Sequence, residues 1–290
     1  MPGNHPRERR PRPMIRKPSS PRPLFGLGLF VLFALCLLCG VFYGDKVVWK
    51  FKLDPYRDPM PVLMYHHMLP DGSDCNDMTV TPSKLRQDFD YIRKQGYTPV
   101  LPRELLDPES LPEKPILITF DDGYASNYNI LFPILQEYAF KAVICPIVCM
   151  PDLLATEFCS WDMYREMIAS GLVEIGSHTY RLHNLDVNGS YKPGGPNGIQ
   201  RIDGETDDEF RERVLDDIQK SYDRLTEELG VAPTCFAYPF GVREPDADAL
   251  IDELFPVSLL TWSDTADLYN GTKRMPRWTV TMWEPVYNLF

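Results

Sequence analysis

The segment Pro115-Ile116-Leu117-Ile118-Thr119-Phe120-Asp121-Asp122-Gly123 decides how this chain is read. Its apolar, β-branched body predicts a buried strand over Pro115–Phe120, and two acids and a glycine mark the turn at its C-terminal end. Outward from it, strand and helix signals alternate. Upstream, Pro61–Tyr65 is a short apolar run ending in His66-His67. Thr81-Pro82 offers a cap and a proline at the first helical position; Leu85, Phe89 and Ile92 mark one helical face, and Gly96 ends it. A strand over Tyr97–Leu101 follows. Downstream come a helix over Tyr128–Tyr138, an apolar strand over Ala142–Val148, a helix over Trp161–Ala169 closed by Gly171, and a strand over Val173–Gly176 that runs into Ser177-His178. Thr206-x-x-Glu209 forms a capping box ahead of Phe210, Val214, Ile218, Leu225 and Leu229, with Gly230 as the stop. Strands over Thr234–Tyr238 and Val257–Trp262 flank a last helix over Ala247–Leu254.

This alternation predicts an α/β domain over residues 61–290, a parallel sheet wrapped by helices and closed or partly closed as a barrel. The polar, Gly/Pro-rich segment 186–205 reads as a long loop and a candidate groove wall. In a parallel barrel the C-terminal strand ends share one face. Asp121, Asp122, His66, His178 and Phe240 all follow predicted strands, so residues distant in sequence are expected to converge there.

The N-terminus is of another character. Residues 1–23 hold seven prolines and seven Arg/Lys against one acid, a basic tail expected to be disordered. Leu24 to Tyr43 carry no charge over twenty residues, and at ~1.5 Å per residue such a helix spans the hydrocarbon layer. A cleaved signal peptide is the alternative, but the run is longer than an ordinary signal core and lacks small residues at a cleavage site. The basic cluster ahead of it belongs on the cytoplasmic side. The expectation is therefore a single-pass cell-membrane anchor over 24–43, a stalk over 44–60, and an extracytoplasmic domain. Residues 44–290 carry 23 basic against 40 acidic residues, which speaks for a solvated surface, and the basic tail, short and on the cytoplasmic side, does not point to nucleic acid. Five cysteines lie beyond the span without a Cys-x-x-Cys pair. Cys145 and Cys149, read as one face of a strand, are taken as buried thiols and not as a zinc site.

Taken alone, Asp-Asp-Gly is a turn, and any one histidine is an ordinary residue. Counted together they mean more: of five histidines, one lies in the tail and the other four fall at predicted strand ends. Two imidazoles and one carboxylate are a common way to hold a catalytic divalent cation with positions left for water and substrate. An adjacent aspartate pair allows one carboxylate to ligate while its neighbour takes a proton.

Thr119-Phe120-Asp121-Asp122-Gly123, Ser177-His178-Thr179-x-x-x-His183 and Ala237-Tyr238-Pro239-Phe240-Gly241 resemble, in order, the three leading motifs of the polysaccharide deacetylase family, the NodB-homology group or carbohydrate esterase family 4. The resemblance implies a distorted or incomplete (β/α) barrel that removes N-acetyl groups from amino-sugar polymers. It implies Asp121 as general base, Asp122, His178 and His183 as metal ligands, and the backbone N–H of Phe240 as an oxyanion donor. Zinc is the default metal, with cobalt or nickel as substitutes.

Three departures narrow it. The histidines stand five apart and not four, Ala237 replaces an arginine, and no histidine follows His183. All three are similar to the poly-β-1,6-N-acetylglucosamine deacetylase branch, in which a Tyr-His after the first strand supplies the acid. That matches Tyr65-His66 and implies His66 as general acid, with His67 structural or supporting. Arg277, in Arg274-Met275-Pro276-Arg277, either orients Asp121 in place of the missing arginine or is a solvated side chain. Trp262 and Trp278 are either an apolar wall for acetyl or sugar, or core. The expected substrate is poly-β-1,6-N-acetylglucosamine, with peptidoglycan N-acetylglucosamine as the alternative. O-acetyl esters would use the same residues, and an inactive sugar-binding module is the reading from another class.

Overall fold

The computed structural model describes residues 59–184, 192 and 198–290. The expected tail, anchor and all but the last two stalk residues lie outside the described residues, as does most of the 186–205 loop. Among the described residues no helix is long and apolar enough to cross a membrane.

The chain opens with β1 (Val62–Tyr65), two short strands β2 (His67–Met68) and β3 (Thr79–Val80), helix α1 (Pro82–Lys94) and β4 (Thr98–Val100). The Thr81 hydroxyl caps α1 by accepting from Lys84 N–H, with Pro82 behind it. Then come β5 (Pro115–Asp122), α2 (Phe132–Tyr138), β6 (Ala142–Pro146), α3 (Cys149–Asp152), α4 (Trp161–Ala169) and β7 (Val173–Ile175). The last third carries α5 (Asp207–Phe210), α6 (Asp216–Leu229), β8 (Cys235–Ala237), α7 (Pro245–Leu254), β9 (Val257–Leu259) and β10 (Trp278–Thr279). The capping box at Thr206 and Glu209 is formed, and Gly230 ends α6 in the left-handed conformation at φ 71°.

All strand pairs are parallel. The main sheet runs β10-β1-β5-β6-β7, with β4 beside the first half of β5. Single parallel bridges continue it: Ser177 with Phe236 joins the end of β7 to β8, and Leu259 with Met275 joins β9 to the segment entering β10. The strands thus follow one another round an incomplete ring, broken into a main sheet and the β8–β9 pair. Side-chain alternation sorts the core accordingly. Val62, Leu117, Val143, Cys145, Cys235, Ala237, Val257, Leu259 and Met275 form one inner cluster. Leu63, Tyr65, Ile118, Phe120 and Ile144 face outward against Leu85, Phe89 and Ile92 of α1 and their neighbours. Burying each such side chain stabilises the fold by ~1.5–3 kcal/mol.

Three details differ from the sequence expectations. Met60 belongs to the fold and not to a stalk, being buried and paired with Ala266. Strand β5 extends through Asp121 and Asp122, two residues further than its apolar run. Cys149 does not share a strand face with Cys145: β6 stops at Pro146, and Cys149 begins α3. Both thiols are buried and free.

Candidate active site

On β5, Leu117, Thr119 and Asp121 share the inner face, so Asp121 is carried into the barrel. It is 1% exposed and meets Arg277, which is 0% exposed. Arg277 enters from the β9–β10 side, where Met275 also points inward. Its Nη1 donates to Asp121 Oδ1 at 2.8 Å and its Nη2 to Oδ2 at 2.7 Å, a bidentate pair. Nη1 also donates to Thr119 Oγ1 at 3.0 Å and Nε to the Leu260 carbonyl at 2.7 Å. Arg277 is therefore not a solvated side chain. Burial works to raise the Asp121 carboxyl; the charge and hydrogen bonds of Arg277 outweigh it and hold the group well below the usual carboxylate range.

Asp122 follows with φ 70°, a left-handed conformation rare for a residue with a side chain. Gly123 continues at φ 81°, and a Cβ there would stand 2.6 Å from Pro146 Cβ, so only glycine fits. This reversal brings the Asp122 carboxylate against two imidazoles that leave β7 by a separate loop. Asp122 Oδ1 lies 3.7 Å from His178 Nε2 and 3.6 Å from His183 Nε2. Those separations are too long for hydrogen bonds, and Oδ1 is buried with no other partner. Two donors each ~2.1 Å from a tetrahedral ion stand ~3.4 Å apart. The three residues therefore fit a divalent cation. The Ala237 carbonyl lies 2.8 Å from His178 Nδ1; since a carbonyl only accepts, Nδ1 carries the proton and Nε2 presents its lone pair to Asp122. Burial lowers His178 to about 3 and also lowers His183, which keeps both rings neutral, the ligating form. Burial pushes Asp122 up to about 6.

Phe240 also adopts a left-handed backbone, at φ 59°, and its ring centroid lies 4.4 Å from that of His183. His66 is the one residue between β1 and β2, half-buried, with Nδ1 buried and unpartnered. A protonated His66 would favour the ionised form of both Asp121 and Asp122, which places it within electrostatic reach of the pair. Of the two tryptophans, Trp262 is 59% exposed and is not core, whereas Trp278 is half-buried against the outer cluster.

A model of the polysaccharide deacetylase family matches residues 109–254, half of the chain and inclusive of Asp121, Asp122, His178 and His183. The chain belongs to the polysaccharide deacetylase family. Among curated relatives, the poly-β-1,6-N-acetyl-D-glucosamine N-deacetylase of Escherichia coli K12 is 33% identical over 202 residues, covering 62% of this chain and 30% of that protein. The enzyme of the same name from Staphylococcus aureus is 26% identical over 163 residues, covering 55% and 47%. The chain thus spans less than half the length of these relatives. Among solved structures, a de-N-acetylase from Aggregatibacter actinomycetemcomitans superposes with a TM-score of 0.68 at 25% identity, over 80% of this chain and 100% of that one. IcaB from Ammonifex degensii gives 0.62 at 27% identity, over 77% and 92%.

Several residues to which sequence reasoning gave no role also bear on the site. Thr119 Oγ1 accepts from Arg277 and donates to the Leu63 carbonyl at 2.9 Å, tying β5 to β1. Asp217 on α6 accepts the N–H groups of Tyr180 at 2.9 Å and Arg181 at 3.0 Å, within the loop between the two histidines. The Tyr124 ring lies 4.5 Å from that of His67, with Phe158 stacked 5.0 Å beyond it. Thr119 and Tyr124 carried a hint in the sequence, the one opening the motif and the other following its glycine; Asp217 carried none.

Proposed function

We propose that this protein is a metal-dependent hydrolase of N-acetyl groups on N-acetylglucosamine units of an extracytoplasmic polysaccharide, with poly-β-1,6-N-acetylglucosamine as the favoured polymer. The observation that carries this is a buried, unpartnered carboxylate oxygen on Asp122 facing two neutral imidazoles, with an ionised Asp121 next to it. The names of the relatives support the choice of polymer. The uncharged run 24–43 behind a basic tail supports a single-pass membrane anchor with the domain outside.

Asp122, His178 and His183 would hold the cation; two imidazoles and one carboxylate suit zinc, and cobalt or nickel can take the same donors. A bound cation supplies Lewis acidity, polarising the acetyl carbonyl and acidifying the attacking water. Asp121 accepts the proton of that water. Because Arg277 holds Asp121 ionised and lowers its proton affinity, the water must already be acidified for transfer to be easy. The Phe240 N–H donates to the oxyanion as the carbonyl becomes tetrahedral. His66 donates a proton to the departing amine as the C–N bond breaks, leaving acetate and a free amino sugar.

Acetate release tests this. The full chain is assayed on oligomers of β-1,6- and β-1,4-linked N-acetylglucosamine, with and without chelator, alongside Asp121→Asn. The expectation is chelator-sensitive release from the β-1,6 oligomers and a loss of about 10²- to 10⁴-fold in the variant. Chelator-insensitive release, or full activity in Asp121→Asn, would overturn the mechanism.

A further inference from the structure

The imidazole of His66 has no side-chain hydrogen bond at its buried Nδ1, so its aim depends on how its backbone is held. That backbone is a single residue between β1 and β2. Asn127, 0% exposed, donates from Nδ2 to the His66 carbonyl at 3.2 Å. Ser126 Oγ accepts the Met68 N–H at 3.1 Å and lies 2.9 Å from His67 Nδ1. The Tyr124 ring packs on the His67 ring on the same side. Asn127 N–H returns to the Tyr124 carbonyl at 2.8 Å, closing the turn on itself.

That turn leaves Asp121-Asp122-Gly123 directly. One covalent segment therefore carries Asp121 and Asp122 at its start and holds the His66–Met68 segment at its end. The Asn127 amide oxygen is buried without a partner. A polar side chain kept in such a place, with one bond to show for it, is retained at a desolvation penalty that packing alone does not explain.

We propose that Ser126 and Asn127 are positioning residues that fix the distance between the His66 imidazole and the Asp121–Asp122 pair, through the His66 carbonyl and the Met68 amide. This rests on the reading of His66 as general acid. Asn127→Asp keeps the side-chain shape and replaces the N–H donor by an oxygen facing the His66 carbonyl. Ser126→Ala removes the second hold with less disturbance to packing.

The chemistry offers a readout that a merely structural role leaves unmoved. An amide needs its leaving amine protonated, whereas 4-nitrophenyl acetate expels a phenolate that needs no proton. The ratio of amide to ester turnover therefore isolates the acid step. The zinc-loaded full chain is assayed on acetylated oligomer and on 4-nitrophenyl acetate, for wild type, Asn127→Asp, Ser126→Ala, His66→Ala and His66→Ala/Asn127→Asp. In Asn127→Asp the ratio is expected to fall roughly ten- to a hundredfold, the scale of misplacing a catalytic group by about an ångström. Ser126→Ala should lower it less, both with zinc affinity within about threefold of wild type, and the double variant should be no lower than His66→Ala.

If His66→Ala lowers the ratio and neither Asn127→Asp nor Ser126→Ala does, the positioning role is overturned while the acid assignment stands. Equal losses on amide and ester in both variants, or additive losses in the double variant, overturn it as well. If His66→Ala leaves the ratio unchanged, the acid assignment falls and this inference with it.

Discussion

Removing the guanidinium of Arg277 strands the carboxylate of Asp121, which is 1% exposed. Both oxygens of Asp121 receive a donor from Arg277, and both residues are sealed from solvent. Deleting one partner of a buried, hydrogen-bonded ion pair is destabilising by ~3–5 kcal/mol, because the remaining charge is left without compensation. For a domain of this size each kcal/mol moves the melting temperature by about 2–4 °C, so Arg277→Met should melt roughly 6–20 °C below wild type. The loss should depend on pH in a defined sense. In the wild type Asp121 is held below its ordinary value, so its contribution is present above ~4, the unfolded carboxyl value, and fades as pH falls toward the folded value. In Arg277→Met the largest influence opposing burial is gone, and the carboxyl rises. The variant then regains stability as pH falls through that raised value, and the gap between the two proteins narrows on acidification. Asp121→Asn/Arg277→Met, with the stranded charge removed, should recover most of the loss. Thermal and urea denaturation between pH 4 and 8, with chelator present so that metal linkage does not contribute, measure all three proteins. A melting point within about 2 °C of wild type, or a gap independent of pH, would refute the reasoning.

Three further outcomes follow from the site. Zinc affinity should fall about tenfold per pH unit below about 6, where Asp122 becomes protonated while His178, lowered to about 3, stays neutral; an affinity that does not change between pH 7 and 5 in a dye-competition titration would show that Asp122 is not the titrating ligand. Asp217→Asn should weaken zinc binding by about 10- to 100-fold without unfolding the domain, since the amide NH2 replaces one of the two oxygens that now accept the Tyr180 and Arg181 N–H groups and sets a donor against a donor there; calorimetric titration checks this, and unchanged affinity would show that the loop holds itself. Gly123→Ala should destabilise by more than ~1 kcal/mol and abolish metal binding, because the new methyl meets Pro146 in a left-handed backbone; circular dichroism melting with zinc titration reads both effects.

The local elements were largely open to sequence reading, for local reasons. Thr81-Pro82, the Thr206–Glu209 box and Gly230 act within a few residues of themselves, and each begins or ends a helix as expected. The failures have equally definite causes. The apolar run 142–149 shows no break in hydrophobicity, which favours one strand through Cys149; its break is Pro146, which cannot donate to a ladder and ends β6, so Cys149 falls in α3. Two-residue strands such as β2, β3 and β10 are too short for any period to register.

The sequence by itself determined the order of strands and helices, the family motifs, and the small set of residues able to do chemistry. Those depend on composition and on spacing along the chain. It left open whether Arg277 met water or Asp121, for the two are 156 positions apart and nothing local distinguishes a buried arginine from a solvated one. The tertiary structure decided that by bringing Arg277 and Asp121 onto the same inner surface. It also decided that Asp122 turns out of β5 toward His178 and His183, and that Ser126 and Asn127 reach His66 and Met68. Each of these depends on how the strands are ordered round the incomplete ring, which sets distances between residues that the chain alone leaves free.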